Sequence, residues 1–288
     1  DALARLYKAK GRPEKHPVIV HLARYEQVFE WAVDVPACLK VIADKFWPGP
    51  ITVVLKRASH VLDQVTGGQD TVALRVPSNR VAQLLLTKFS GGLAAPSANR
   101  FGRISPTTAH DVEREFANED VPLILDGGGC DVGIESTIID LSAGGIRLLR
   151  PGMITKDQIE SATGMTVELP GASGGDAIAV RVPGSLKAHY APTTPLVLVA
   201  LHELSSKIDE LRGGGATFSV LSFEPCPADV SQDSWLQVHR SAAEYAQQLY
   251  ANLRRLDALS TRYILVERPP ETEEWRGVRD RLTRAAAR

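Results

Sequence analysis

The chain has 288 residues, of which 44% are hydrophobic and 23% charged, and its formal net charge is −1 at pH 7. This length suffices for one large and one small domain, and the near-neutral charge excludes a general electrostatic attraction to nucleic acid or anionic membranes. Three widely separated cysteines, Cys38, Cys130 and Cys226, argue against a disulfide framework and a zinc site. No apolar stretch is long enough to span a membrane, and these features together predict a cytosolic protein.

The first part of the chain alternates short apolar runs with amphipathic ones, which is typical of an α/β domain. A helix is predicted over residues 1–10, with an acidic residue at its start and apolar residues at Leu3, Leu6 and Tyr7. The predicted strands are 18–22, 52–56, 71–75, 93–95, 123–126, 137–140 and 146–149. The further predicted helices are 36–46, 80–89 and 108–116.

Residues 169–195 are rich in Pro, Gly, Ser and Ala without periodicity, which predicts a linker between domains. Beyond the linker, the predicted strands are 196–201, 217–223 and 262–266, and the predicted helices are 203–212, 242–259 and 275–287. This regular alternation predicts a small parallel sheet.

Two short motifs combine fixed cations with small polar residues on turns. Lys10 ends the first predicted helix and Arg12 follows it, whereas Ser97 and Asn99 follow the predicted strand at 93–95. Lysine supplies a point charge and arginine a planar fork, so the two cations suit phosphate or carboxylate oxygens. The alternatives are a solvated pair at a helix end for the cations and local capping for the polar residues.

Further motifs stand around these residues in a fixed order. They read PVIVH at 17–21, FWPGPIT at 46–52, LRVP at 74–77, GIEST at 133–137 and LRPG at 149–152. Together with KGRP at 10–13 and APSAN at 95–99, they resemble the threonylcarbamoyl-AMP synthases of the YrdC type in their longer two-domain form, from Ala2 to the C-terminus.

The resemblance implies an α/β architecture in two parts. A YrdC-like twisted mixed sheet with flanking helices is expected in residues 1–180, a linker or lid in 181–194, and a smaller Rossmann-like α/β domain in 195–288. In the family a further strand and a P-T-E-T-x-Y-G motif precede the first helix, so the threonine contact of that motif has no counterpart in the printed sequence.

The resemblance also implies a nucleotidyltransferase. Such an enzyme joins L-threonine, bicarbonate and ATP into threonylcarbamoyl adenylate, releases pyrophosphate, and serves the threonylcarbamoyladenosine modification of tRNA. Cations must neutralise the phosphates during this transfer, and Lys10 and Arg12 are expected to act in catalysis. The residues implied for nucleotide binding are Lys10, Arg12, Ser97, Asn99, Ser136 and Arg150. Those implied for threonine binding are His21, Arg75 and Ser136.

Several of these residues have structural alternatives. Arg150 precedes Pro151 and Gly152, so it also fits a surface turn. His21 also fits a strand-end histidine bonded to the backbone, and its role as a positioning group or a base stays open. His189 and Tyr190 stand in the linker, where the resemblance implies that Tyr190 covers the substrate and excludes water. The alternative is that this tyrosine only docks the linker on a domain.

Magnesium is expected to enter with ATP, held mainly by phosphate oxygens and water rather than by protein ligands. The expected partners are ATP, L-threonine and bicarbonate, with tRNA or downstream tRNA-modification enzymes as further candidates and no membrane. The rival function is a non-catalytic RNA-binding module, which a local basic face would support but the lack of an RNP-type aromatic motif disfavours. A third alternative is a carbamoyl transferase related to hydrogenase maturation, which would require acylphosphatase-like and zinc-finger segments.

Overall fold

The computed structural model describes residues 2–117, 121, 123–169 and 180–287, and the chain divides into two units. The first unit comprises Asp1–Phe101, Thr108–Gly129 and Glu135–Ser185. The second comprises Gly102–Thr107, Cys130–Ile134 and Leu186–Arg288. Two short stretches within the range predicted for the first domain therefore belong to the second unit. The predicted linker stretch at 170–175 lies outside the described residues.

The first unit contains a mixed sheet with flanking helices. Its helices are α1 (Ala2–Lys10), α2 (Val28–Trp31), α3 (Cys38–Phe46), α4 (Asp63–Thr66), α5 (Arg80–Phe89), α6 (Ala109–Glu115) and α7 (Lys156–Thr163). Its strands are β1 (Ile19–His21), β2 (Ile51–Lys56), β3 (Thr71–Arg75), β4 (Leu93–Ala94), β5 (Thr137–Asp140), β6 (Ile146–Arg150) and β7 (Val167–Glu168). Among the described residues the strand order is β4-β1-β3-β2-β5-β6-β7.

The pairing in this sheet brings several strand ends to one edge. Strand β1 runs parallel to β3, with His21 opposite Arg75, and β2 runs antiparallel to β3. Strand β5 runs parallel to β2, with Thr137 opposite Ile51. The ends of β1 and β3 therefore lie at the same edge as the starts of β2 and β5. We call this end of the sheet, where the termini of these four strands meet, the active edge.

The two faces of the sheet differ in how they are covered. The first face carries Val20, Val53 and Leu74, which pack in the main hydrophobic core with side chains such as Leu39 of α3 and Ile159 of α7. The second face carries a much smaller apolar cluster. Its buried members are Ile19, Val54, Ala73, Ile138 and Val182. Because side chains alternate along a strand, His21, Thr52 and Arg75 lie on this second face.

The second unit contains a parallel sheet. Its strands are β8 (Leu196–Val199), β9 (Phe218–Ser222), β10 (Trp235–Gln237) and β11 (Tyr263–Glu267). Its helices are α8 (Leu201–Gly213), α9 (Ala242–Asp257) and α10 (Arg276–Ala285). The strand order is β10-β9-β11-β8, and each described pairing is parallel. Helix α8 packs Leu204, Ile208 and Leu211 against buried residues of the sheet.

Most predicted elements are confirmed within one to three residues, but one strand is wrong. Residues 123–126 are irregular, and Leu123 is 72% exposed. The Asp126 carboxylate accepts a hydrogen bond from the backbone N–H of Gly128 at 2.9 Å, so this stretch ends in a turn. The apolar alternation resembled a strand, yet no described strand pairs with it.

Candidate active site in the first unit

His21 and Arg75 lie side by side at the active edge, on the second face. The Arg75 guanidinium donates through Nε to the carbonyl of Gly49 at 2.9 Å, which holds it over the start of β2. Burial and the nearby positive charge of Arg75 lower the pKa of His21 to about 3. His21 is therefore neutral at physiological pH, and its imidazole is too weak a base to take up a proton there.

Ser136 and Arg150 form a second pair along the same edge. Arg150 is 3% exposed and Ser136 is 1% exposed. The guanidinium donates to the Ser136 carbonyl from Nε at 3.1 Å and from Nη2 at 2.9 Å. Nη2 also lies 3.1 Å from the Ser136 Oγ. A planar fork suits this double contact, which a lysine could not reproduce.

Thr52 completes this group, although the sequence motifs did not single it out. Its Oγ1 lies 2.7 Å from the Oγ of Ser136, and the Thr52 side chain is fully buried in β2. The sequence did contain a signal for Thr52. It is a polar residue at the end of the FWPGPIT motif, and it lies two positions before Val54, so both side chains lie on the same face of the strand.

Lys10 ties the end of α1 to the turn that follows β4. Its Nζ donates to the backbone carbonyls of Ser97 and Asn99, and Lys10 is 4% exposed. Burial, followed by the positive charge of Arg12, lowers the pKa of Lys10 to about 8. The two predicted polar residues thus meet the lysine through their main chain. The Asn99 side chain donates from Nδ2 to the carbonyl of Arg100 at 2.8 Å.

Arg12 follows a tight turn after α1. Gly11 has a φ of +60°, a left-handed conformation that glycine adopts without steric cost and that commonly ends a helix. The Arg12 guanidinium donates from Nη2 to the carbonyl of Pro17 at 2.7 Å and stacks over the Phe101 ring at 5.8 Å. Arg12 therefore lies beside the start of β1, where it is 8% exposed.

The predicted residues thus form two groups on the same sheet. The Lys10 group contacts the chain near the start of β1, because the backbone N–H of Ala95, just ahead of the turn, donates to the carbonyl of Ile19. The His21 and Ser136 groups lie along the active edge, from β1 across β3 and β2 to β5. Three strand spacings separate β1 from β5, which is about 14 Å.

A short segment covers the second face. Val182 is 3% exposed and belongs to the apolar cluster on this face. The Pro183 carbonyl accepts a hydrogen bond from Arg150 Nη1 at 2.9 Å. Arg181 is held by Gln69, whose Oε1 accepts from the Arg181 backbone N–H at 2.7 Å. We call residues 180–183 the covering segment.

Tyr190 lies in the second unit and is 1% exposed. Its ring contacts that of Tyr250 at 5.8 Å, and the Arg281 guanidinium stacks over it at 5.3 Å. A φ of +61°, which is uncommon for a bulky residue, places it there. These contacts describe how the tyrosine docks in its own unit, and its role as a lid stays a prediction.

Within the described parts of the chain, no group of three or more His, Cys, Asp or Glu side chains is placed to hold a metal ion. None of the helices described here has the length and apolar character needed to cross a membrane.

Comparisons with known proteins agree over both units. Residues 1–152 match the family model described as "Telomere recombination", and residues 154–287 match the one described as "Threonylcarbamoyl-AMP synthase, C-terminal domain". The threonylcarbamoyl-AMP synthase of Pyrococcus abyssi is 34% identical, over 99% of this chain and 84% of its own length. That of Bacillus subtilis is 35% identical, over 99% and 84%.

Solved structures give the same result. The structure of P. abyssi Sua5 complexed with L-threonine matches with a TM-score of 0.88 and 34% identity, over 99% of this chain and 84% of that one. A variant of the same protein, in which a histidine and the following tyrosine are replaced by alanine, also matches with a TM-score of 0.88, at 33% identity over 99% and 83%. The two-part α/β fold expected from the motifs is confirmed, and the chain belongs to the threonylcarbamoyl-AMP synthase family of nucleotidyltransferases.

Proposed function

We propose that this protein joins L-threonine, bicarbonate and ATP into threonylcarbamoyl adenylate and releases pyrophosphate. Its curated relatives carry the name of this activity, and one solved relative is complexed with L-threonine. The structural observation that carries the proposal is the row of His21, Arg75, Ser136 and Arg150 along one edge of a thinly covered sheet. Such a row offers cations and hydrogen-bond donors to an anionic ligand.

The chemistry requires an oxygen nucleophile at the α-phosphorus of ATP. The amine of threonine first adds to bicarbonate, and loss of water leaves a carbamate. A carbamate oxygen then attacks the α-phosphorus, a new P–O bond forms, and the bond to pyrophosphate breaks. Holding the two substrates in line supplies much of the acceleration.

Each group of residues has a role in this proposal. Lys10 and Arg12, with the turn that carries Ser97 and Asn99, bind the phosphates and neutralise charge during the transfer. Arg150 and Ser136 bind where the carbamate and the phosphate meet.

His21 and Arg75 serve the threonine end. Arg75 binds the carboxylate of threonine through its planar fork. Since His21 is neutral at physiological pH, it positions threonine through a hydrogen bond and does not act as a base.

The substrates also suggest which metal takes part, where the product goes and how water is excluded. We propose that ATP acts as its magnesium complex, with the metal on phosphate oxygens and water, and that the product is passed on for tRNA modification in the cytoplasm. Tyr190 is proposed to help shield the adenylate from water.

The reaction is tested by following pyrophosphate release with ATP, threonine and bicarbonate, and by omitting each of the latter two. Release that depends on both is expected. Arg75→Lys should raise the KM for threonine about tenfold, the value of one charged hydrogen bond. Arg57→Lys is the control, because Arg57 pairs with Asp63 instead. Salt-dependent tRNA binding without any pyrophosphate release would contradict the proposal.

A further inference from the structure

Thr52 is a polar side chain inside an otherwise apolar strand. Its neighbours Ile51, Val53 and Val54 are buried and apolar, and Thr52 itself is 0% exposed. Its hydroxyl contacts a single polar group within the described chain, the Oγ of Ser136 at 2.7 Å. A buried threonine that serves only packing could be replaced by valine at little cost, so the hydroxyl calls for an explanation.

The hydrogens of this pair can be counted. Ser136 Oγ has two lone pairs and one proton, and Thr52 Oγ1 has the same. Arg150 Nη2 donates to Ser136 Oγ and occupies one lone pair. One proton is shared between the two hydroxyls, so the pair holds one further proton that no described acceptor receives.

The position of the two residues decides which hydroxyl keeps that proton. Thr52 is paired with Ile138 inside the ladder of β2 and β5. Ser136 precedes the first residue of β5, beyond the end of that ladder. Val53 pairs with Leu74, so Thr52 lies near Arg75, but Ser136 lies nearer the end of the ladder, and a ligand at the active edge reaches it first. If Ser136 donated to Thr52, the proton left over would be confined to the strand interior.

We infer that Thr52 is a positioning residue, which donates to Ser136 and leaves the serine hydroxyl as a dedicated donor to the substrates. With both lone pairs of its oxygen filled, by Thr52 and Arg150, Ser136 recognises an oxygen that only accepts hydrogen bonds. Such oxygens belong to a carboxylate, a carbamate or a phosphate, and not to an ammonium or amide N–H group. This inference rests on the proposed function, because those three groups are its substrates and intermediate.

The test compares Thr52→Val with Thr52→Ser. Valine keeps the shape but removes the donor, whereas serine keeps the donor and removes a methyl group. Thr52→Val should change one kinetic parameter, either kcat or the KM for one substrate, about tenfold for the worse. Thr52→Ser should keep that parameter close to its wild-type value. Thr87→Val, at an exposed position of α5, is the control and should change activity less than twofold.

The affected parameter identifies the acceptor. A rise in the KM for threonine alone points to the carboxylate, and a rise in the KM for ATP alone points to a phosphate. A fall in kcat with both KM values unchanged points to the carbamate in the transition state. Each of these outcomes supports the inference, provided that thermal unfolding shows the variants to be folded.

A double-mutant cycle separates positioning from direct contact. In a Ser136→Ala background, adding Thr52→Val should have no further effect, because Thr52 acts through the missing hydroxyl. Independent losses that multiply would overturn the inference, as would a folded Thr52→Val enzyme with wild-type kinetics. If the wild-type protein releases no pyrophosphate, the proposed function fails instead, so the two failures are distinguishable.

Discussion

The cations of the candidate site in the first unit and two cations of the second unit bind different partners. In the first unit, the described hydrogen bonds of Lys10, Arg12 and Arg150 include several to backbone carbonyls, which carry no formal charge. In the second unit, Arg240 pairs with Glu224 at 2.9 Å and Arg284 pairs with Asp280 at 3.0 Å. A carboxylate cancels the charge of its partner, whereas a carbonyl only orients it. The carbonyl contacts orient the cations of the candidate site, and the carboxylate contacts stabilise the second unit locally.

The polar groups at the end of β11 in the second unit also differ from those at the active edge of the first unit. At the end of β11, the carboxylate of Glu267 accepts the Ser222 hydroxyl at 2.6 Å and the Phe223 backbone N–H at 2.9 Å. The Phe223 ring packs with those of Tyr245 and Trp275. These groups satisfy one another, so the contacts stabilise the second unit. At the active edge of the first unit, by contrast, the Thr52 and Ser136 pair has one hydroxyl proton that no described acceptor receives.

Replacing Arg150 should have the largest effect on activity. Arg150→Lys removes the fork that holds both the carbonyl and the hydroxyl of Ser136, and loss of two charged hydrogen bonds should lower kcat/KM about 100-fold or more. Pyrophosphate release measures it. Arg147→Lys on the same strand, where the side chain pairs with Glu168, should stay within twofold of wild type. Equal losses in the two variants would contradict a special role for Arg150.

The pKa of Lys10 predicts an alkaline limit for ATP use. The Lys10 side chain is protonated below pH 8 and loses its positive charge as the pH rises through about 8. The kcat/KM for ATP should therefore be constant below that pH and about tenfold lower one pH unit above it. Lys10→Arg should abolish this fall, because arginine does not titrate there. Lys8→Arg, at an exposed position of the same helix, should retain it. An identical pH profile in both variants would count against Lys10.

His21 should contribute a smaller effect that does not depend on pH. Its pKa of about 3 leaves it neutral throughout pH 5–7, so His21→Asn should lower kcat/KM for threonine about twofold to tenfold, the value of a neutral hydrogen bond, across that range. His110→Asn, on the exposed surface of α6, is the control. If kcat/KM for threonine fell towards low pH in the wild type but not in His21→Asn, His21 would titrate in this range and the prediction would be wrong.

The second unit should yield the smallest change in activity. Ser222→Ala removes one donor to the buried Glu267 carboxylate and should lower the free energy of unfolding by about 1–3 kcal/mol, while kcat and KM stay unchanged. Thermal unfolding and pyrophosphate release measure the two effects. Ser206→Ala, on the exposed side of α8, is the control for stability. A loss of activity in folded Ser222→Ala would mean that this network serves the reaction.

Some features could be predicted because they depend on neighbours in the chain. The periodicity of apolar residues placed β1, β3 and α5, and the alternation in the second half predicted its parallel sheet. The order of motifs from Lys10 to Arg150 was specific enough to indicate the family. These signals are local, or are strings of local signals, so one sequence was sufficient.

Other features depended on contacts between distant residues. Residues 123–126 carry a strand-like pattern without a described pairing partner, which local propensity does not reveal. The hydroxyl of Thr52 meets that of Ser136 across 84 positions, and the covering segment reaches Arg150 from Pro183. The backbone carbonyls of Ser97 and Asn99 bind Lys10 across 87 and 89 positions, a contact that no local pattern indicates.

The sequence alone determined the family, the α/β class and the residue types that an adenylate-forming enzyme needs. Only the tertiary structure decided that His21 is neutral, that Lys10 has a lowered pKa, and that Thr52 is tied to Ser136. The physical reason is that burial and hydrogen bonding arise where strands distant in the chain are paired in a sheet, and these surroundings set the charge and orientation of each side chain.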